Sequence, residues 1–197
     1  MKEGMLKPDE QVVLRKHLER FVSLTDREFA EILTFFSTRS VKKDTVVLQP
    51  GDAVHHTFWV VKGLLLSVFN DGTGKEHIMQ FATENCWITD QNGFYNQQPA
   101  LFRLEALEDS VLLSLSYTDR EHLCEVIPKM NHFFRRKAND SFVKQQKRLL
   151  TYMTNDAQER FDQLIREYPD LYHRVPKSTI AAYLGVSRET LSRFKKK

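Results

Sequence analysis

From Ser40 to Ser116 the apolar residues recur at a period of two, and the breaks between runs are marked by glycine. A stretch of that kind cannot be built as helices. Thr45-Val46-Val47-Leu48 is one strand candidate and stops at Pro50-Gly51-Asp52. Thr57 to Val61 is a second and stops at Lys62-Gly63. Leu64 to Phe69 runs into Asn70-Asp71-Gly72-Thr73-Gly74, a hairpin turn, and Glu76 to Phe81 returns from it. Leu101 to Ala106 and Val111 to Leu115 continue the series. Short strands at this spacing predict a small antiparallel barrel or roll. Within it, Trp87 to Pro99 (WITDQNGFYNQQP) reads as a polar and aromatic loop, whose Trp87, Phe94 and Tyr95 either line a pocket for a ligand or, as is commoner for aromatics in a barrel, fill the roll.

The flanks of this region have a helical period. Between Asp9 and Ser37, Val12, Val13, Leu18, Phe21, Val22, Phe29, Ile32, Leu33 and Phe36 recur at helical intervals. Thr25 to Glu28 (TDRE) is a capping box that starts a second helix there. After the strands, Thr118 to Val126 reads as a helix, Pro128 as a break, and Met130 to Thr154 as one long helix of roughly 37 Å. Phe134, Ala138, Phe142, Leu149 and Met153 form a stripe along it. Such a stripe is covered either by its own domain or by a second copy of the chain. Ala157 to Tyr168 is a further amphipathic helix, with Phe161, Leu164 and Ile165 inward.

The last twenty-one residues read KSTIAAYLGVSRETLSRFKKK. Ile180, Ala181 and Leu184 share one helical face, and Gly185 can take the left-handed conformation that turns the chain. Ser187 is a good N-cap for a second helix whose inner face is Leu191 and Phe194. Arg188, Glu189, Ser192 and Arg193 are left on the outer face. Those side chains suit the major groove of DNA, where arginine donates twice to guanine and glutamate accepts from cytosine. By periodicity alone they suit a solvated surface hairpin equally well. Charge is unevenly spread. Lys129 onward carries sixteen Lys or Arg against seven Asp or Glu, whereas the first 128 residues carry thirteen against nineteen. A cationic end on an acidic body is the footprint of nucleic-acid binding. The sequence has no apolar run near eighteen residues and no apolar core of a signal peptide at its start, so no membrane partner is expected. Cys86 and Cys124 lack ligand spacing and read as reduced thiols of a cytoplasmic protein.

SRETLSR directly after LGV, together with QPGD at 49–52, VVKG at 60–63 and DGTGKEH at 71–77, resembles the cyclic-AMP receptor protein/FNR family of bacterial transcription regulators. The resemblance extends from about Leu14 to Lys197. It implies an α+β chain with N-terminal helices and an antiparallel β-roll over 1–127, a long dimerisation helix over 128–155 and a helix-turn-helix domain over 156–197. The residues matching the family's base contacts are Arg188, Glu189 and Arg193. Lys177, Ser178, Ser187, Thr190, Ser192 and Lys195, Lys196 and Lys197 would lie at phosphates, with Pro176 beside them. The long-helix stripe would be the dimer seam. The partners implied are a palindromic double-stranded operator, a second copy of the chain and RNA polymerase. The family's reading helix usually leads into a small β-wing; this sequence ends at Lys197, so either backbone contacts there are fewer or the sequence is a piece of a longer chain. The family's iron–sulfur clusters need several cysteines, and none of that pattern is present.

Cyclic-nucleotide sites of the family use a Gly-Glu pair for the ribose and an Arg-Ser or Arg-Thr pair for the phosphate. Aligned without gaps, the first pair falls on Thr89 and Asp90 and the second on Ala100 and Leu101. Arg103 is the only nearby substitute for the lost cation. A phosphate buried without a cation is costly, so no response to cyclic AMP is expected and an effector, if present, is of unknown kind. Gly72-Thr73-Gly74-Lys75 lacks the spacing of a phosphate loop. His55 and His56 are adjacent and would face opposite ways, and His77 stands alone. No cofactor, metal or enzymatic constellation is expected. The rival reading is a ligand-sensing or protein-interaction module on the same roll that does not bind DNA.

Overall fold

The computed structural model describes residues 2–194, which fall into two compact units. The first contains the residues up to 69 together with 80–137; the second contains 70–79 together with the residues from 138 onward.

Nine strands are found among the described residues: β1 (Lys2–Gly4), β2 (Ser37–Val41), β3 (Val46–Leu48), β4 (His56–Lys62), β5 (Leu65–Asn70), β6 (Glu76–Ala82), β7 (Trp87–Ile88), β8 (Arg103–Ala106) and β9 (Ser110–Ser116). One sheet has the order β1-β2-β9-β4-β7 and the other β3-β8-β5-β6. The alternation along β4 and β9 explains the layering. Phe58, Val60 and Leu112 point between the sheets, where they pack with Val41, Leu65 and Leu104. Trp59, Leu113 and Leu115 point to the other face, where helices cover them. Trp59 lies opposite Leu113 and Val60 opposite Leu112. A fully buried side chain of this size contributes roughly 1.5–3 kcal/mol, so β4 and β9, covered on both faces, anchor the unit. Gly63 follows β4 at a φ of 103°, and a Cβ there would lie 2.2 Å from the Ser110 Oγ. Only glycine satisfies both the backbone and the close approach.

The covering helices are α1 (Pro8–Leu18), α2 (Asp26–Leu33), α4 (Tyr117–Val126) and the start of α5 (Lys129–Thr154). The capping box expected at Thr25 is present: its Oγ1 accepts the Glu28 N–H at 3.2 Å, and the Glu28 carboxylate accepts the Thr25 N–H at 2.8 Å. The same carboxylate takes Lys129 Nζ at 2.8 Å, which ties α2 to α5. These bonds, Lys129 first, hold the Glu28 carboxyl down at about 2.

Three expectations are corrected. The helical stretch ends at Leu33 rather than Ser37, because Ser37 to Val41 is strand β2, paired with β9 from Ser37 opposite Ser114 to Val41 opposite Ser110. The segment after Trp87 is not a loop: Trp87 and Ile88 form β7, and Gln91–Asn96 is a short helix, α3, capped by Asp90. Phe94 is fully buried and Trp87 packs on the aromatic core, as fillers should; Tyr95 is instead exposed, with the Arg120 guanidinium 5.3 Å from its ring centre. The stripe on α5 also divides. Phe134 is buried in the first unit, its ring 6.1 Å from that of Trp87 and under the Arg120 guanidinium at 4.6 Å, so it belongs to that unit's core and not to an exposed stripe. Ala138, Phe142, Leu149 and Met153 are exposed, Met153 at 76%.

The second unit carries α6 (Ala157–Glu167), α7 (Leu171–Arg174), α8 (Lys177–Leu184) and α9 (Arg188–Arg193). Ile78, Phe161, Leu164, Leu171, Val175, Ile180, Ala181, Leu184 and Leu191 are its buried apolar residues. Asp156 and Glu159 form a reciprocal cap at the start of α6, with bonds of 2.9 and 3.0 Å. No helix among the described residues is long and apolar enough to cross a membrane.

Candidate functional site

The C-terminal pair α8 and α9 is built by local signals. Gly185 ends α8 at φ 69° and ψ 30°, the left-handed cap, and its N–H bonds back to the Ala182 carbonyl at 3.2 Å. The chain then turns, and Ser187 caps α9 by accepting the Thr190 N–H at 3.1 Å. Leu191 is buried against the unit's core, and Phe194 lies with its ring 5.6 Å from Phe161. Burial of Leu191 fixes the rotation of the helix, which leaves Arg188, Glu189, Ser192 and Arg193 exposed. The guanidinium groups of Arg188 and Arg193 make no hydrogen bond among the described residues. The Glu189 carboxyl is held below its ordinary range by its own backbone N–H, then by the Ser187 hydroxyl, with smaller help from Arg188 and Arg193. The face therefore presents two guanidinium groups and one ionised carboxylate.

The remaining predicted contacts differ in freedom. Lys177 and Ser178 are exposed in the first turn of α8, with the Lys177 ammonium 5.6 Å from the centre of the Tyr172 ring. Ser187 and Thr190 hydroxyls lie 3.1 Å apart, and the Ser192 hydroxyl donates to the Arg188 carbonyl at 2.9 Å. Lys195, Lys196 and Lys197 lie outside the described residues.

In the roll, the second set of predicted positions is engaged internally. Thr89 donates its hydroxyl to the His56 carbonyl at 2.9 Å. Asp90 is fully buried and accepts three backbone N–H groups: Gly93 at 2.9 Å, Leu101 at 2.6 Å and Phe102 at 3.0 Å. Ala100 is buried and pairs with the turn at Gly51 and Asp52, donating to the Asp52 carbonyl at 2.8 Å. Leu101 is half exposed. Arg103 does not face this place. On β8 the inward residues are Leu104 and Ala106, and Arg103 lies on the other face beside Glu105, at 3.2 Å. The cation suggested by sequence as a substitute is thus committed elsewhere.

The other residues singled out have ordinary partners. His77 bonds the Asp71 carboxylate at 2.7 Å. Asp71 also accepts from the Thr73 hydroxyl at 2.6 Å and from the backbone of Thr73 and Lys75, and these bonds hold it well below the carboxylate range. Cys86 and Cys124 are free thiols, and burial raises Cys124. Among the described residues no group of three His, Cys, Asp or Glu is placed to hold a metal.

Sequence reasoning missed two parts of the exposed α5 surface. Val143 and Leu150 are 46% and 60% exposed and stand beside Phe142 and Leu149. The signal was available as two adjacent seven-residue spacings, 142 to 149 and 143 to 150. The triple acceptor role of Asp90 had no comparable signal.

No curated protein matches the chain. Among solved structures, the Thermus thermophilus catabolite activator protein shares the fold at a TM-score of 0.52 and 19% identity, over 87% of this chain and 82% of that one. The c-di-GMP responsive global regulator CLP of Xanthomonas campestris does so at 0.67 and 16%, over 86% and 89%. FixK2 of Bradyrhizobium japonicum gives 0.65 and 16%, over 80% and 81%. Residues 38–126, which hold nearly all of β2 to β9 together with α3 and α4, match the family described as Cyclic nucleotide-binding domain.

Proposed function

We propose that the chain is a sequence-specific DNA-binding transcription regulator of the cyclic-AMP receptor protein/FNR type, and not an enzyme. The observation that carries this reading is the α8–Gly185–α9 pair, whose outer face holds Arg188, Glu189 and Arg193 in the open while Leu191 is buried. Arg188 and Arg193 would donate to guanine edges and Glu189 would accept from cytosine. Lys177, Ser178, Ser187, Thr190 and the terminal lysines would lie near phosphates. Two copies joined along Ala138, Phe142, Leu149 and Met153 would set two α9 helices about 34 Å apart, one turn of duplex. In this division 1–127 is the roll, 128–155 the joining helix and 156–197 the DNA-binding domain. Solved structures of the same fold include a catabolite activator protein and a global regulator of gene expression, which supports the reading.

We further propose that cyclic AMP is not its effector. An incoming phosphate that sought the N–H groups of Leu101 and Phe102 would meet the Asp90 carboxylate already bonded to them. No arginine stands at Ala100 to offset two anions at one place.

A gel-shift series on full-length protein tests both parts. Random duplex should shift in a salt-dependent way, and selected sites should bind more tightly. Arg188→Ala and Arg193→Ala should each lose about 1–3 kcal/mol of discrimination between sites. Removal of Lys195 to Lys197 should weaken all sequences alike and flatten the salt slope. Cyclic AMP should leave every band where it was. Unchanged site preference in Arg188→Ala would remove the base-reading role. The absence of any shift at low salt would favour a sensing module that does not bind DNA.

A further inference from the structure

The second unit holds an open cleft of about 400 Å³ that the DNA-reading face does not account for. Lys144, Lys147 and Arg148 line it from one face of α5, Arg160 and Arg166 from α6, and Glu167 is its one carboxylate. Five cations against one anion is a strong local excess, and no ion pair among the described residues relieves Lys144, Lys147 or Arg166.

Two of the guanidinium groups are fixed by neutral acceptors. Arg148 donates to the carbonyls of Met79 and Ile78, the second at 2.8 Å. Its guanidinium carbon lies 4.2 Å from the centre of the Tyr183 ring. Arg160 donates to the Asn155 carbonyl at 2.8 Å and the Leu184 carbonyl at 3.1 Å, and it lies 5.1 Å from the centre of the Tyr152 ring. Carbonyls and rings orient a guanidinium but leave its full charge uncompensated. The Nε of Arg160 is buried and has no acceptor at all. The cleft thus has pre-set cations and a volume suited to a small molecule.

We propose that this cleft binds a small phosphate-bearing ligand with at least two negative charges. Charge-assisted bonds from fixed guanidinium groups are the strong ones, and a phosphate can take them in pairs. The exposed apolar residues of α5, Phe142, Leu149 and Met153, lie roughly half a helical turn away from Lys144 and Thr151. A second copy seated on that stripe would leave the cleft open. Because Tyr183 and Leu184 of α8 form one wall, an occupied cleft would also brace the helix that precedes Gly185. The proposal does not depend on α9 reading DNA.

The test is calorimetric titration of the full chain with inorganic pyrophosphate and, separately, with ADP, in about 0.15 M salt, where only close charge pairs survive screening. Saturable binding of one molecule per chain is expected for at least one probe. Tighter binding of ADP would assign a nucleotide-like phosphate ester; equal or tighter binding of pyrophosphate would assign a free oligophosphate. The double variant Lys147→Gln, Arg166→Gln should weaken the binding probe about tenfold or more. Lys16→Gln with Lys43→Gln, in the other unit, should not change it. Both pairs are exposed, so thermal melts should confirm unchanged folding. No saturable heat from either probe would overturn the proposal, as would equal weakening by the control pair. Displacement of the bound probe by a short DNA duplex at one duplex per dimer would overturn it too, since the cations would then belong to the nucleic-acid face.

Discussion

The Asp90 carboxylate accepts the Leu101 backbone N–H at 2.6 Å, eleven residues further along the chain. With Gly93 and Phe102 it closes the segment from α3 to β8 on a buried negative charge. Asp90→Ala strands three donors, one buried and two part-buried, and a stranded buried donor costs about 1–3 kcal/mol. The expected loss is therefore about 2 kcal/mol or more in urea unfolding. Asp90→Asn keeps one acceptor oxygen and should lose less. A loss below about 1 kcal/mol in the alanine variant would show that these bonds do not hold the segment.

His17 supplies a pH prediction. Its Nε2 accepts the Trp87 indole N–H at 3.2 Å, so the ring proton sits on Nδ1, which is buried without a partner. Trp59 and Phe133 enclose the ring at 4.6 and 5.6 Å. Burial, with Lys137 and Arg20 adding repulsion, holds His17 down at about 3. The unfolded chain protonates near its ordinary value of about 6.5. Protons thus favour the unfolded state once pH drops below about 6.5. Stability should be complete above that pH and fall by up to about 1.4 kcal/mol per unit toward pH 3. His17→Phe should flatten this part of the profile; an unaltered slope would assign the loss to other groups.

Phe134 and Leu149 should respond in opposite ways. Phe134→Ala opens a cavity in the first unit and should cost about 3–5 kcal/mol of folding stability. Leu149→Lys with Leu150→Lys alters exposed positions and should leave folding within about 0.5 kcal/mol per site. The lysine pair should nevertheless shift sedimentation from dimer to monomer. A wild-type protein that is monomeric at all concentrations would remove the proposed seam.

Gly63→Ala tests the close approach behind β4. The new Cβ would meet Ser110 Oγ at 2.2 Å and the Ser110 Cα at 2.8 Å, on a backbone with φ of 103°. Thermal and urea unfolding should show a loss of about 2 kcal/mol or more. Gly72→Ala is the control: a Cβ there meets nothing within 4 Å, and little change is expected.

Much of the fold could be read from periodicity and punctuation. The strands around Val46, Thr57, Leu65, Glu76, Arg103 and Val111 lie where alternation placed them. So do the capping box at Thr25, the long helix and the two helices around Gly185. The failures share one cause. STRSV at 37–41 carries no alternating apolar pattern, and it is a strand because β9 offers it a ladder of hydrogen bonds. QNGFYN at 91–96 has weak helical propensity, and it is helical because Asp90 caps it and Phe94 is drawn into the roll.

The candidate site divides along the same line. Which residues of α9 face outward follows from Leu191 and the helical period, both local, so Arg188, Glu189 and Arg193 could be named from sequence. Phe134 and Phe142 occupy the same stripe and look alike in sequence. Only packing separates them, because Trp87 and Arg120 reach Phe134 from distant parts of the chain. Arg103 was a reasonable substitute cation until the pleat of β8 turned it outward to Glu105. Residue order sets periods, caps and turns, since those depend on neighbours within a few positions. The role of Asp90, the burial of His17 and the gathering of five cations in one cleft depend on long-range contacts, and only the folded chain decides them.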